Sequence, residues 1–342
     1  MAKFILSKFK VLDQFDKVER LADIVSYSSK TNPFVTRILE KERGCMFSVH
    51  AKEELKNIYD KTRILFLAQC WNEKFIDELV KQGIKCFVVD NEPDLNMLLK
   101  YLEGNDVKIK LLLRIKLKEN TIKTEKFFAF GLDSEIVNKR LRELNMNPKI
   151  SELGVHFHRK TQNMSEWNLK YEIENMLDSY ALDSIKIINI GGGLPSEYAN
   201  TNVEVMRGII LKIKELRDWL NAKGIKMMIE PGRFIAAPAV KLTTTIIGIH
   251  GNNIIVDASV YNADMDALIV PIKLKVEGEL DSGKSYVVKG VTPCSLDLFR
   301  YKVYLKEPKV GDEIVFLNAG AYNFYTDFCD LVKIETIVID RF

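Results

Sequence analysis

Lys30 stands in "VSYSSKTNPF", residues 25–34, after an apolar run and just before Thr-Asn-Pro. Proline is excluded from central strands and helix interiors, so a new element begins near Pro33 and Lys30 marks the end of a buried strand. A lysine amine in such a place either snorkels to solvent or forms a Schiff base with a carbonyl. Other reactive residue types follow the same pattern, an apolar run and then an abrupt change. Arg114 lies near the end of "IKLLLRI", and His158 and Thr161 lie in "GVHFHRKTQ". Gly191, Gly192 and Gly193 follow "IKIINI", and "EPGR", Glu230 to Arg233 with Gly232 between them, follows "KMMI". A glycine triplet lets backbone N–H groups approach a phosphate closely. Arg233 can add charge-assisted hydrogen bonds.

These residues make one site only if the elements carrying them converge. Apolar runs at 24–29, 45–49, 63–67, 85–89, 109–115, 151–157, 185–190 and 226–230 read as strands. Helical patterns lie between them: "VTRILEKER", "EELKNIYDK", "EKFIDELVKQG", "LNMLLKYLEG", "IVNKRLRELN", "EIENMLDSYA" and "IILKIKELRDWLNAKG". Strands alternating with helices imply parallel pairing. Eight of them in roughly 210 residues fit an α/β fold of the (β/α)₈ TIM-barrel type. Chemistry in such a barrel sits at the C-terminal strand ends. Lys30, Arg114, His158, the glycine triplet and Glu230 all fall there, after the first, fifth, sixth, seventh and eighth strands. The set suits a phosphate-bearing aldehyde cofactor. A carboxylate facing a pyridine nitrogen keeps that nitrogen protonated and makes the ring an electron sink. Pyridoxal 5'-phosphate meets this description.

The texture changes near residue 240. "VKLTTTIIGIH", "NNIIVDASV", "ALIVPIKLKVEG", "KSYVVKGV", "DEIVFL" and "VKIETIVID" are β-rich and separated by turns. The division expected is an N-terminal arm at 1–23 whose "KFILSK" joins the β domain, a cofactor-binding barrel at 24–240 and a C-terminal β domain at 241–342.

Acids and bases nearly balance at a net charge of +3, and no basic tract forms a nucleic-acid footprint. No apolar run reaches membrane-spanning length, and "MAKFILSKFKVLDQF" is too interrupted by charge for a signal peptide. Neither a nucleic acid nor a membrane is therefore expected as a partner. Cys45, Cys70, Cys86, Cys294 and Cys329 are odd in number and lack zinc spacing, which suits a reducing cytoplasm. "HFH" on a strand puts His156 and His158 on one face, a spacing compatible with a metal pair; the site is read without a metal.

Together the motifs resemble the fold-type III pyridoxal-phosphate decarboxylases, the ornithine, diaminopimelate and arginine decarboxylase family. The likeness runs over nearly the whole chain. "SYSSKTNP" resembles the family's cofactor-lysine motif, and "GVHFHRKTQ" its stacking-histidine motif, with Thr161 in place of a phosphate-binding serine. "INIGGGLP" and "EPGRFIAA" match closely. "NAGAYNF" resembles the Gly-Ala-Tyr motif whose tyrosine, here Tyr322, contacts the phosphate. "GVTPCSLD" resembles a segment that reaches into the neighbouring subunit's active site. The resemblance implies an alanine-racemase-type barrel with a C-terminal β domain and a homodimer with shared sites. It also implies decarboxylation of an amino acid or amino-acid-derived substrate. Lys30 would carry the cofactor as a Schiff base, and the protonated ring held by Glu230 would delocalise the carbanion left by CO₂. His158 would stack on the ring, and Cys294 or Lys30 would return a proton.

The sequence departs from the family in places. Ser48 stands where an aspartate is frequent, and the arm before Lys30 is short. Pro293 fills the usual cysteine slot, and Cys294 fills the slot where an acidic residue often meets the substrate's distal amine. Asp297, Asp264 and Asp266 are then the remaining acids for that role, while Arg300 would favour a distal carboxylate. "DASVYNADMDALIVPIKL" also lacks the Arg-Pro pair of diaminopimelate enzymes. An amino-acid racemase on the same fold is the alternative, although racemases of this fold usually pair the pyridine nitrogen with arginine. A non-catalytic cofactor carrier is the third reading.

Overall fold

The computed structural model describes residues 1–117 and 130–342. Eight parallel strands close into a barrel. They are β2 (Ile24–Ser28), β3 (Met46–Val49), β4 (Ile64–Leu67), β5 (Cys86–Val89), β6 (Ile109–Arg114), β7 (Ile150–His156), β8 (Ile187–Asn189) and β9 (Lys226–Ile229). β9 returns to β2 through Ile24 against Met228 and Val25 against Ile229. All eight expected strands are present, with ends shifted by one or two residues. The strands are buried on both faces, as parallel strands covered by helices are, although β2, β3 and β7 turn Ser26, Ser28, Ser48 and His156 inward. Leu65, Leu67, Cys86, Val88, Leu112, Ile187 and Met228 fill the interior. Ile64, Phe66, Phe87 and Leu111, of opposite parity, pack outward against the helices.

The second sheet is mixed. β1 (Lys3–Ser7) pairs antiparallel with β10 (Val240–His250) and parallel with β16 (Glu335–Ile339). β10 continues through β11 (Asn253–Val256) to β13 (Ser285–Lys289) and β14 (Leu298–Tyr304), and on its other side to β15 (Glu313–Leu317) and β12 (Lys275–Val276). Val240, Leu242, Thr244 and Ile246 are buried while the residues between them are not, the alternation of a strand with one face on a core.

Three local expectations are revised. The arm at 1–23 divides. Only β1 enters the sheet, and α1 (Lys8–Glu19) packs against the barrel helix α2 (Pro33–Glu42). Ser7 caps α1 by accepting from Lys10 N, and Val11, Phe15 and Val18 supply its buried face. "EELKNIYDK" is not an α-helix but 3₁₀ turns at Lys52–Asn57 and Lys61–Arg63. Only 14 residues join β3 to β4, and Asp60 draws the N–H of Thr62 away at 3.0 Å, so local side-chain bonding wins over the ladder. Leu177 is extended and breaks "EIENMLDSYA" between helices at Leu169–Met176 and Ser179–Ser184, the second capped by Asp178 accepting from Ala181 N at 2.9 Å.

Candidate active site

Side chains alternate along a strand, so the interior parity continues past each strand's C-terminal end. β4 leads through Leu65 and Leu67 to Gln69, and β5 through Cys86 and Val88 to Asp90. β6 leads through Leu112 to Arg114, and β9 through Met228 to Glu230. β2, β3 and β7 lead in the same way to Lys30, His50 and the pair His156 and His158. All these end residues line one cavity of about 330 Å³, a size suited to a small cofactor.

Lys30 sits in a single 3₁₀ turn, Ser29–Thr31, tied down on every side. Asn32 accepts from Phe34 N at 2.9 Å and caps α2, with Pro33 at the first helical position. The amide of Asn32 donates to Gly320 O at 3.0 Å, and Tyr322 N donates to Thr31 O at 2.9 Å. Ser28 Oγ donates to Glu230 O at 3.1 Å. Lys30 itself makes no hydrogen bond or ion pair among the described residues, and it lines the cavity.

Glu230 is buried across the barrel mouth. Its Oε1 accepts from Asn189 Nδ2 at 2.5 Å and lies 3.3 Å from His156 Nε2. Burial opposes its ionisation. The neighbouring His156 imidazole and the Asn189 hydrogen bond outweigh burial and hold the carboxyl down at about 2. His158 accepts from Gly192 N at Nδ1, 3.2 Å away. Burial, then the charge of Arg114, pushes its imidazole down to about 3, so it is neutral near pH 7. Burial and the charge of Lys30 likewise push His50 down to about 3. Arg114 is lowered by burial, and its guanidinium lies over the Phe130 ring at 5.0 Å.

Close backbone packing shapes the glycine triplet. Gly191 has φ +66°, and a Cβ there would meet Phe157 O at 2.5 Å. At Gly193, φ +105°, a Cβ would meet Lys160 O at 2.6 Å. The N–H groups of Gly193 and Gly232 donate to no protein acceptor among the described residues. Tyr322, at φ +63°, and Thr161 also line this end. Arg233 differs from expectation. Its guanidinium donates to both oxygens of Asp266, to Tyr198 Oη at 2.8 Å and to Thr161 Oγ1 at 3.3 Å. One N–H on Nη2 remains. Arg233 therefore braces the wall, with Tyr322 5.1 Å beneath it, more than it offers donors to a ligand.

Three expected substrate-reading residues lie elsewhere. Cys294 is exposed on the loop before β14 and does not line the cavity within one protomer. Asp297 is 2% exposed. It accepts from Ser259 Oγ at 2.9 Å, Val260 N at 2.7 Å, Thr292 N at 2.9 Å and Thr292 Oγ1 at 2.6 Å. Three of those bonds fall on Oδ2 and one on Oδ1, and Asp297 does not line the cavity, so the expectation that it meets a substrate amine is corrected: it anchors its own loop. Arg300 is likewise corrected, because both its terminal nitrogens pair with Glu279 at 2.7 and 2.9 Å and it also donates to the carbonyls of Leu274 and Lys302.

The residues present fit a pyridoxal phosphate. Among the described residues, the Lys30 amine and the N–H groups of Gly193 and Gly232 line the cavity without a protein partner, and Thr31 Oγ1 and Arg114 Nε are buried without one. Sequence reasoning missed His50, Asp90, Gln69 and Asn189, and gave His156 only a metal role. The signal was there, in the period-two continuation beyond each strand. Ser48 turns inward but hydrogen-bonds Ser26 Oγ at 2.8 Å, away from the cavity.

Comparison with known proteins agrees. Residues 10–237 match the model of the family described as "Pyridoxal-dependent decarboxylase, pyridoxal binding domain". An ornithine decarboxylase of Panagrellus redivivus is 22% identical over 70% of this chain, an alignment spanning 56% of that enzyme's own length. Antizyme inhibitor 2 of Xenopus laevis, whose name is not that of an enzyme, is 23% identical over 92% of this chain and 76% of its own. A diaminopimelate decarboxylase from Helicobacter pylori, solved with L-lysine, superposes with a TM-score of 0.83 at 18% identity over 99% of this chain and 91% of that one, a likeness of fold. With a family match running from residue 10 to residue 237 and a lysine lining the cavity at the barrel mouth, this chain belongs to the pyridoxal-dependent decarboxylases, and pyridoxal phosphate is its cofactor.

Proposed function

We propose that this protein decarboxylates an amino acid or amino-acid-derived substrate, as a cytoplasmic homodimer with shared active sites. The observation that carries the reading is the Lys30 amine sharing one cavity with a Glu230 carboxyl held ionised. When bound, the cofactor supplies a carbonyl that captures an amine and a protonated ring that accepts electron density as CO₂ leaves. Lys30 Nζ would hold that carbonyl, and Glu230 would keep a proton on the ring nitrogen. Neutral His158 would lie against one ring face, and Arg114 would line its edge. Thr161, Tyr322 and the N–H groups of Gly193 and Gly232 would hold the phosphate, with Gly191 and Gly192 shaping the cradle and Arg233 bracing it. Cys294 would complete the partner's site. Its surroundings support this, because Val291, Leu296 and Phe328 are exposed beside it at 48%, 61% and 42%, an apolar surface suited to a second copy.

Of the acids near the site, Asp90 lines the cavity and already accepts from Gln69 Nε2 at 2.8 Å and Asn91 Nδ2 at 2.7 Å, and Asp297, Asp266 and Asp264 lie outside the cavity. Asp297 holds its loop, Asp266 holds Arg233, and Asp264 is fully buried. A desolvated ammonium without a partner is costly. Ornithine, lysine and diaminopimelate should therefore turn over poorly, and an amino acid with an uncharged side-chain end should do better. The test is CO₂ release by the cofactor-loaded protein across a panel of amino acids. Efficient turnover of ornithine, lysine or diaminopimelate would overturn the substrate assignment. Racemisation without CO₂ would identify a racemase, and neither activity a cofactor carrier.

A further inference from the structure

Glu230 is held by two neighbours on adjacent strands. Asn189 ends β8 and His156 ends β7, and the two are register partners. Asn189 Oδ1 accepts from Gly191 N at 2.9 Å, which turns Nδ2 toward Glu230 Oε1 at 2.5 Å. Glu230 N in turn donates to Gly191 O at 2.8 Å. His156 is 1% exposed, with Nε2 3.3 Å from the same Oε1 and Nδ1 buried without a partner among the described residues. Both donors thus converge on one oxygen. Oε2 has no hydrogen-bond partner among the described residues, on a side chain that lines the cavity.

We propose that Asn189 and His156 are positioning residues that preset Glu230, keeping its carboxyl ionised through Oε1 and leaving Oε2 for the cofactor's ring nitrogen. The inference rests on the decarboxylase reading but concerns only the state of Glu230. Asn189 also links the two ends of the site, because the same side chain holds the first glycine of the phosphate cradle and the acid opposite the ring. A buried carboxylate with neither donor would protonate instead, because burial favours its neutral form. The depressed ionisation of Glu230 is consistent with this clamp.

The test uses the full-length protein loaded with pyridoxal phosphate labelled with ¹⁵N at the ring nitrogen. Nitrogen chemical shift against pH reports the ring proton, and kcat and KM are measured in parallel. In the wild type the nitrogen should stay protonated up to about pH 9. In Asn189→Ala and His156→Leu its deprotonation should move down by about one pH unit or more, with kcat at least about tenfold lower and KM within about threefold. His156→Gln, which keeps a donor, should recover most of the loss. Wild-type nitrogen shifts in both donor-removing variants would overturn the proposal. Should those variants fail to fold, the wild type decides: the infrared carboxylate band lost in Glu230→Gln should persist in the cofactor-free protein down to about pH 3, and titration of that band near the ordinary glutamate value would overturn the clamp. If the wild type releases no CO₂, the activity reading fails while the nitrogen shifts still judge the clamp.

Discussion

The side-chain amide of Asn32 donates to the Gly320 carbonyl at 3.0 Å, joining the turn that carries Lys30 to the loop that carries Tyr322. Both ends of this bond are buried, and one residue earlier Thr31 O accepts from Tyr322 N at 2.9 Å. The barrel supplies the amine and the β-rich half supplies the tyrosine, so this pair of bonds sets their relative position.

Asn32→Ala should destabilise the protein by about 1.5–5 kcal/mol. Losing the α2 cap costs about 0.5–2 kcal/mol, and leaving the Gly320 carbonyl unpaired adds about 1–3 kcal/mol. Urea unfolding of the wild type and the variant measures this. A change below about 0.5 kcal/mol would show that the tie is dispensable.

Glu230→Gln should bind pyridoxal phosphate within about tenfold of wild type and lower the chemical step by roughly 10²–10⁴-fold. The amide keeps the volume but cannot hold a proton on the ring nitrogen. Single-turnover CO₂ release checks it, and an unchanged rate would reject the role.

Acid should destabilise the cofactor-free protein in two stages. His50 and His158 have folded values of about 3, below their unfolded value near 6.5. Between those limits the unfolded chain binds more protons, so the stability each contributes is complete above pH 6.5 and falls as pH drops. The slope is at most about 1.4 kcal/mol per pH unit for each, and less for His50, whose side chain is 26% exposed. Glu230 acts lower. Its contribution is present above about 4.5 and is lost as pH falls toward about 2. Tm against pH should decline from pH 6.5, and His158→Gln should flatten that first stage. A flat Tm from pH 7 to pH 5 in the wild type would contradict the buried neutral histidines.

Borohydride reduction of the loaded protein should fix the cofactor on Lys30, and Lys30→Ala and Cys294→Ala should each be inactive alone. Mixed subunits of the two should recover about a quarter of wild-type activity, because half the dimers are mixed and each holds one intact site. No recovery, with exchange proven by mass spectrometry, would count against Cys294 acting in the partner's site.

The barrel was legible in the sequence because its strands are short apolar runs spaced by helices, and hydrophobic periodicity is a local signal. Lys30, His158, the glycine triplet and Glu230 were legible for a related reason, since each interrupts such a run at its C-terminal end. What the tertiary structure decided was which polar groups are still free. Asp297 and Arg300 look like ligand-reading residues in one dimension, but Ser259, Val260, Thr292 and Glu279 claim them in three. Arg233 is claimed by Asp266 across 33 residues. The clamp on Glu230 joins residues 41 and 74 positions away that only barrel closure brings within hydrogen-bond reach. A side chain's type is written in the sequence. Its unspent hydrogen-bonding capacity depends on every neighbour it meets, and long-range neighbours follow from the closed barrel and its packed second sheet.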